Sequence, residues 1–260
     1  MKPIMREGIE VLERFAASNV LLAFDYDGTL APIVRDPDEA HPNPSTQALL
    51  ARLTVLFPCA VISGRARADA LKRLGEVQLW GASGNHGAEI LGRPERYELL
   101  VQDWAALFRE SLADHPGVLI EDKRFSVSVH YRNATDERAA LAAIEQTAAR
   151  LEGARVLPGK KVVNAVPAGA PDKGVALDCM RRWSGCDTAV YVGDDVTDED
   201  AFALASEEVL AIRVGPSPGS RAPWYLEDQR EVDKLLERLV ACRATPASRA
   251  PGSSGSPRTR

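Results

Sequence analysis

The segment Asp25-Tyr26-Asp27-Gly28-Thr29-Leu30 sets two carboxylates two positions apart, directly after the apolar run Val20–Phe24. Side chains alternate along extended backbone, so continued strand geometry turns Asp25 and Asp27 to the same side. Two acids facing one cavity suit phosphoryl transfer. One attacks phosphorus as a nucleophile, while the other supplies the proton for the leaving alcohol and later helps activate water. Gly28 lets the chain turn sharply behind them. Asp-x-Asp-Gly is also an ordinary turn sequence, so the assignment depends on what else the chain places at strand ends.

Two more segments hold such positions, and a third heads a helix. Ser63-Gly64-Arg65 follows the apolar run Cys59–Ile62 and offers a hydroxyl and a flexible backbone to a phosphate oxygen. Gly193-Asp194-Asp195-Val196-Thr197-Asp198-Glu199-Asp200 follows a third apolar run, 189–192. Acids this crowded repel one another unless a cation or solvent relieves them. Magnesium takes oxygen ligands, commonly one or two carboxylates with phosphate and water, so Asp194 and the Asp25 loop would supply the protein's share, with Asp198 as ligand or supporting partner. Glu199 and Asp200 instead suit the first turn of a helix, where acids favour the macrodipole. Lys173, in Pro171-Asp172-Lys173-Gly174, heads a predicted helix. Its ammonium would neutralise both the nucleophile and the phosphoryl group in transfer. Lys160 and Lys161 are rivals for that role.

These residues need a scaffold that collects strand ends. Short apolar runs at Val20–Phe24, Cys59–Ile62, 189–192 and Val209–Val214 have the length of strands buried on both faces, and helical patterns at 45–56, 172–183 and 198–205 fall between them. That alternation predicts a parallel α/β sheet. The middle of the chain differs. Stretches 118–121 and 126–131 read as a hairpin whose second strand alternates with period two; a helix over 136–151 follows, then a second hairpin turning at Pro158-Gly159. The expectation is an α/β core (1–91 and 171–243) interrupted by a smaller antiparallel α+β module (92–170), with a disordered tail (244–260) too polar to offset its ordering entropy.

With 260 residues, 45% hydrophobic and 27% charged, the chain has material for a sizeable core. A net charge of −5 disfavours binding to nucleic acid, which needs a positive surface. No run approaches the length of a membrane span, and Met1 to Val20 is amphipathic, without the unbroken apolar stretch of a secretory leader. Cys59, Cys179, Cys186 and Cys242 show neither zinc spacing nor a disulfide framework, which suits reduced thiols in a cytoplasm. Trp80, Trp104, Trp183 and Trp224 are read as core residues. His86 and Glu89, after a predicted strand over 77–80, would meet substrate or fix a hinge.

The strand-end motifs, in this order, resemble the haloacid-dehalogenase (HAD) superfamily of phosphotransferases, with its parallel Rossmann-like core and inserted cap. More narrowly the chain is similar to the trehalose-6-phosphate phosphatases, through Phe24 to Ile33, Gly84-Asn-His-Gly-Ala-Glu89, Ile120-Glu-Asp-Lys123 with Val129-His-Tyr-Arg132, Gly159-Lys160, and Gly193 to Glu199. The resemblance implies Asp25 as nucleophile and Asp27 as acid and base, with the Asp27 carbonyl also on Mg2+. It further implies Ser63, Gly64 and Lys173 on phosphate, and Asp194 on the metal with Asp198 behind it. The cap would close over the sugar, with Arg65, His86, Glu89, Lys123, His130, Arg132, Lys160 and Asn164 as candidate contacts. Many relatives carry Glu where this chain has Asn164, and a basic residue where it has Val166, so another glycosyl or pseudo-disaccharide phosphate is an alternative substrate. A mutase and a non-catalytic domain regulating a partner synthase are further readings. A monomer acting on a small sugar phosphate, with a trehalose-6-phosphate synthase as partner, completes the expectation.

Overall fold

The computed structural model describes residues 1–34, 36–90 and 94–244. The chain opens with β1 (Lys2–Pro3), α1 (Ile4–Glu7) and α2 (Ile9–Ala17). It then alternates through β2 (Val20–Phe24), α3 (Pro44–Leu56), β3 (Cys59–Ile62), α4 (Arg67–Leu74) and β4 (Gly81–Ser83). A different pattern follows in α5 (Glu98–Ser111), β5 (Leu119–Asp122), β6 (Val127–His130), α6 (Glu137–Ala148), β7 (Ala154–Gly159) and β8 (Val162–Pro167). Alternation resumes with α7 (Lys173–Trp183), β9 (Thr188–Gly193), α8 (Glu199–Phe202), β10 (Val209–Val214), β11 (Trp224–Leu226) and α9 (Glu231–Ala244).

Seven strands pair in parallel in the order β1-β11-β10-β9-β2-β3-β4. Parallel pairing forces crossovers over the sheet, and both faces are covered. Val20, Leu22 and Phe24 of β2 pack on one face with Leu12 and Phe15 of α2, Leu50 and Leu53 of α3, and Leu235 of α9. Leu21 and Ala23 pack on the other with Leu177 and Met180 of α7 and Phe202 of α8. Burial on both sides is why β2 reads as an unbroken apolar run. β2 lies between β9 and β3, so the carboxyl ends of these strands open together at the crevice where such sheets bind ligands.

Inserted between β4 and β9 is an antiparallel sheet in the order β5-β6-β8-β7. Val127, Val129, Val163 and Ala165 pack one of its faces against Val101, Trp104 and Phe108 of α5 and Ile144 of α6. Leu119, Glu121, His130, Val162 and Asn164 lie on the opposite face and line a cavity over the parallel sheet. The polar half of the period-two pattern is therefore a roof over that cavity. The architecture is a parallel, Rossmann-like α/β core interrupted by a smaller antiparallel α+β module, as the sequence predicts.

Several local expectations are corrected. The second hairpin turns at Lys160-Lys161, where Lys161 has φ 65°, because Pro158 and Gly159 still pair with Val163 and Val162. Pro158 is tolerated there since β7 is an edge strand. Residues 77–80 are not a strand: pairing with β3 begins at Gly81, while Val77 and Leu79 reach the core from irregular backbone. The helix expected over 198–205 is only the short α8, preceded by a 3-10 turn at Val196–Asp198. Helix α5 was not foreseen. Trp104 is buried, but Trp80 and Trp183 are 43% and 57% exposed, so they are not core residues. Ala244 closes α9 instead of opening the tail; residues 245–260 and the expected boundary at 92 lie outside the described residues. Among the described residues no helix is long and apolar enough to cross a membrane.

Candidate active site

Asp25 leaves the end of β2 with its amide donating to the Val192 carbonyl at 2.8 Å, which ties its position to β9. Its carboxylate lies 3.0 Å from Lys173 Nζ, which also contacts Asp198 Oδ1 at 2.7 Å. Lys173 is placed by the start of α7, where the Asp172 side chain caps the helix by accepting from the Val175 amide. Burial holds the Asp25 carboxyl well above the usual carboxylate range; Lys173 opposes this, while Asp198, Asp194 and Asp27 add to it. Burial alone would lower the Lys173 pKa, but the charges of Asp198 and Asp25 raise it instead.

Asp25, Asp194 and Asp198 each bring an oxygen to within 4.8 Å of the others. Two glycines make this crowding possible. A Cβ on Gly28, whose φ is +78°, would lie 2.1 Å from Asp194 Oδ2, and one on Gly193 would lie 2.3 Å from Asp198 Cγ. Burial, then the charge of Asp198, pushes Asp194 up to about 6 against the opposing charge of Lys160. An all-oxygen set of buried acids fits a hard divalent cation. Asp198 is already saturated: Oδ1 accepts from Lys173 and from the Tyr191 hydroxyl at 2.7 Å, and Oδ2 accepts from the amides of Asp194 and Asp195 at 2.8 Å. Asp25 and Asp194 hold the oxygens more open to an ion. Lys160, from the turn of the cap hairpin, reaches across to ion-pair with Asp194.

Asp27 also lines the cavity, but its carboxylate is gripped by Arg65 through Nε at 2.8 Å and Nη2 at 2.7 Å. Arg65 further bonds Asp69 at 3.0 Å and the Pro37 carbonyl at 2.8 Å, and stacks over the Tyr26 ring. Arg65 itself lines the cavity, as expected for a substrate contact, but two of its bonds go to aiming Asp27. Ser63 is buried at the end of β3, accepting from the Arg65 amide at 3.1 Å and leaving its own proton free to donate. Gly64 borders the cavity beside it.

In the cap, Lys123, His130, Arg132, Lys160 and Asn164 all line the cavity. Lys123 Nζ donates to the Gly64 carbonyl at 3.2 Å, and Arg132 bonds the carbonyls of Val34 and Lys160. The Asn164 amide oxygen accepts from the Ser128 hydroxyl, so one of its two lone pairs is already engaged. His86 lines the cavity, whereas Glu89 does not: it accepts from the Arg67 amide at 3.1 Å and from Asn85, bracing the loop from behind.

Sequence reasoning missed four residues. Glu121 lines the cavity and joins His130 at 3.0 Å and Lys123 at 3.4 Å; its alternation with Lys123 in the Glu-Asp-Lys stretch was the available signal. Tyr191, inside an apolar strand, gave none. Arg213, the one charge in the β10 run, secures the acidic loop through the carbonyls of Asp194 and Asp195. Arg155 of β7 crosses from cap to core, 3.3 Å from Asp200 and 3.9 Å from Asp172.

Comparison with known proteins agrees with this geometry. The trehalose-phosphatase family model matches residues 23–229. A trehalose-phosphate phosphatase of Mycolicibacterium paratuberculosis is 42% identical over 234 residues, which cover 84% of this chain and 57% of that protein. The chain thus spans little more than half the length of this curated relative. The C-terminal domain of the C. albicans trehalose-6-phosphate phosphatase superimposes with a TM-score of 0.79 at 25% identity, covering 93% of this chain and 98% of its own. The C-terminal domain of the Candida albicans trehalose synthase regulatory protein shares the fold at 12% identity, with a TM-score of 0.69 over 89% of this chain and 97% of its own. The family match extends over the strand-end acids and the whole cap, and the chain belongs to the trehalose-phosphatase family.

Proposed function

We propose that this chain hydrolyses trehalose 6-phosphate to trehalose and inorganic phosphate through an aspartyl-phosphate on Asp25. One observation carries the reading: a buried carboxylate, salt-bridged to a buried lysine, opens onto a cavity whose roof is the polar face of the cap sheet. Asp25 attacks phosphorus, the bond from phosphorus to the sugar oxygen breaks, and Asp27 gives its proton to the departing alkoxide. Asp27 then takes a proton from water, whose oxygen attacks phosphorus and frees Asp25 with release of phosphate. Lys173, Ser63 and the Gly64 amide hold phosphate oxygens, and Lys173 offsets charge on the nucleophile. Magnesium, when bound by Asp25, the Asp27 carbonyl and Asp194 with Asp198 behind, would offset the charge of the phosphoryl oxygens. Residues 92–170 act as the cap that closes over the sugar, with Glu121, Lys123, His130, Arg132 and Lys160 toward it.

The shared fold of the synthase regulatory domain means that fold alone does not decide catalysis; the intact set Asp25, Asp27, Ser63, Lys173 and Asp194 favours turnover over mere binding. The uncharged amide of Asn164, whose oxygen is already shared with Ser128, supports a second reading, in which the released alcohol is a different disaccharide. A panel of sugar phosphates assayed with magnesium separates the two: trehalose 6-phosphate should give the highest kcat/KM, and a much higher value for another compound rejects it. Asp25→Asn should abolish phosphate release with the fold intact. We place the enzyme in the cytoplasm as a monomer fed by a trehalose-6-phosphate synthase, in keeping with its free cysteines.

A further inference from the structure

Among the described residues that line the reaction cavity, His86 alone has buried polar side-chain atoms that bond to nothing: neither Nδ1 nor Nε2 has a partner. The residue is 7% exposed. A buried polar atom left without a partner costs free energy, and in a cleft that cost points to a partner arriving with the ligand.

The backbone gives a second, independent observation. Asn85 and His86 have φ of 51° and 57°, a left-handed pair without glycine, followed by Gly87 at 104°. Such backbone persists only where its surroundings hold it. Here the His86 amide donates to the Ser63 carbonyl at 2.9 Å and the Asn85 amide to the Arg65 carbonyl at 2.8 Å. From the cap, the Ser126 hydroxyl bonds the Asn85 side chain. Gly87 passes so near α7 that a Cβ would lie 2.2 Å from the Asp172 carbonyl oxygen. The result presses the imidazole onto the Ser63-Gly64-Arg65 loop: a Cβ on Gly64 would stand 2.5 Å from His86 Cε1.

The charges acting on the ring are Lys173, Lys123 and Arg155, and the Asn164 amide comes near without a bond of normal geometry. Burial first, then those cations, hold the ring in its neutral form. A neutral imidazole keeps one N–H donor and adds no charge to a site already rich in cations.

We propose that His86 donates a hydrogen bond to a non-bridging oxygen of the substrate's phosphate group, alongside the Ser63 hydroxyl, the Gly64 amide and Lys173. This rests on the phosphatase reading above, but on no particular sugar. Inorganic phosphate in the presence of magnesium is the probe, titrated into the full chain and followed by NMR of the imidazole nitrogens and by calorimetry. His86→Asn is the variant of choice, because asparagine tolerates left-handed backbone. Phosphate should shift the His86 ring nitrogen signals in the wild type, and His86→Asn should bind it about tenfold or more weakly at unchanged Tm, the loss expected for a hydrogen bond to a charged group. Equal affinity in the variant, or ring signals indifferent to phosphate, overturns the inference and leaves the proposed reaction standing. A wild type that shows no phosphate binding by calorimetry likewise overturns the inference, while release of phosphate from trehalose 6-phosphate, assayed on the same protein, decides the reaction separately. Phosphate binding that depends on His86, in a chain that leaves trehalose 6-phosphate untouched, supports the inference and rejects the sugar. Should the variant fail to fold, the wild-type ring signals decide.

Discussion

Replacing Asp194 with asparagine should make the metal-free protein more stable while disabling its site. The Asp194 carboxyl is 3% exposed, and its pKa is raised from 3.8 to about 6 by burial and by the neighbouring Asp198. The folded-state value lies above the unfolded one. Below the unfolded pKa both states hold the proton and there is no penalty; as pH rises through the folded pKa the native state must carry an anion it disfavours, and stability falls. At about 1.4 kcal/mol per pKa unit, the shift from 3.8 to about 6 corresponds to a cost of about 3 kcal/mol above the folded pKa. Asp194→Asn removes that cost and keeps the side-chain shape that packs against Gly28. For a chain near this size the gain corresponds to about 6 °C or more in Tm. The assay is thermal unfolding in EDTA at about pH 8 and about pH 4, for wild type and variant. The gain should be present at the higher pH and vanish at the lower. Added magnesium should raise Tm of the wild type and not of the variant. A variant no more stable than wild type at the higher pH in EDTA refutes the reasoning, and means that solvent already offsets the buried charge.

Other expectations follow from the same geometry. Arg65→Lys replaces a two-point grip on Asp27 with a single ammonium, so kcat should fall about ten- to a hundredfold with little change in KM; a rise confined to KM would mean that Arg65 serves substrate instead. Gly28→Ala should cost stability and nearly all activity, because its backbone has φ +78° and the new methyl carbon would meet Asp194; normal turnover by the purified variant would refute the close approach. The Glu121 carboxyl is brought down to about 2, its burial being outweighed by the bonds to His130 and Lys123. Its contribution is therefore present above the unfolded pKa and lost as pH falls through the folded one. Hydrogen exchange across β5 and β6 should speed up in that acid window, and Glu121→Gln should flatten the response.

The core was legible because its chemistry is local in sequence. Asp25, Ser63 and Asp194 each follow a buried strand, so an apolar run ending in a polar residue was enough to find them. The pattern of β6 was also readable, since Val127 and Val129 alternate with Ser128 and His130. What faced that polar side was not readable, because alternation tells inside from outside and cannot tell solvent from a cavity. Glu121 was passed over for that reason. The partners of Arg65 and Glu89 were not readable because a charged residue beside a motif carries no sign of what it will bond: one pairs with Asp27 and Asp69, the other with the Arg67 amide and Asn85. The turn at Lys160-Lys161 was placed two residues early because Pro and Gly are usual turn residues, and only the edge position of β7 lets Pro158 remain in a strand. Tyr191 shows the opposite limit, since a tyrosine within Thr188–Gly193 looks like any other core aromatic.

The roof over the cavity belongs to a sheet with its own core, in which Val127, Val129, Val163 and Ala165 hold the strands whatever their neighbours become. On the function proposed above, recognition of the alcohol and cleavage of its ester are written on separate scaffolds. Evolution can rewrite positions such as 121, 130 and 164 to admit a new sugar without retuning the acids below. A deep mutational scan scored on two unlike sugar phosphates should divide along that seam: strand-end acids failing on both, roof positions trading one substrate for the other.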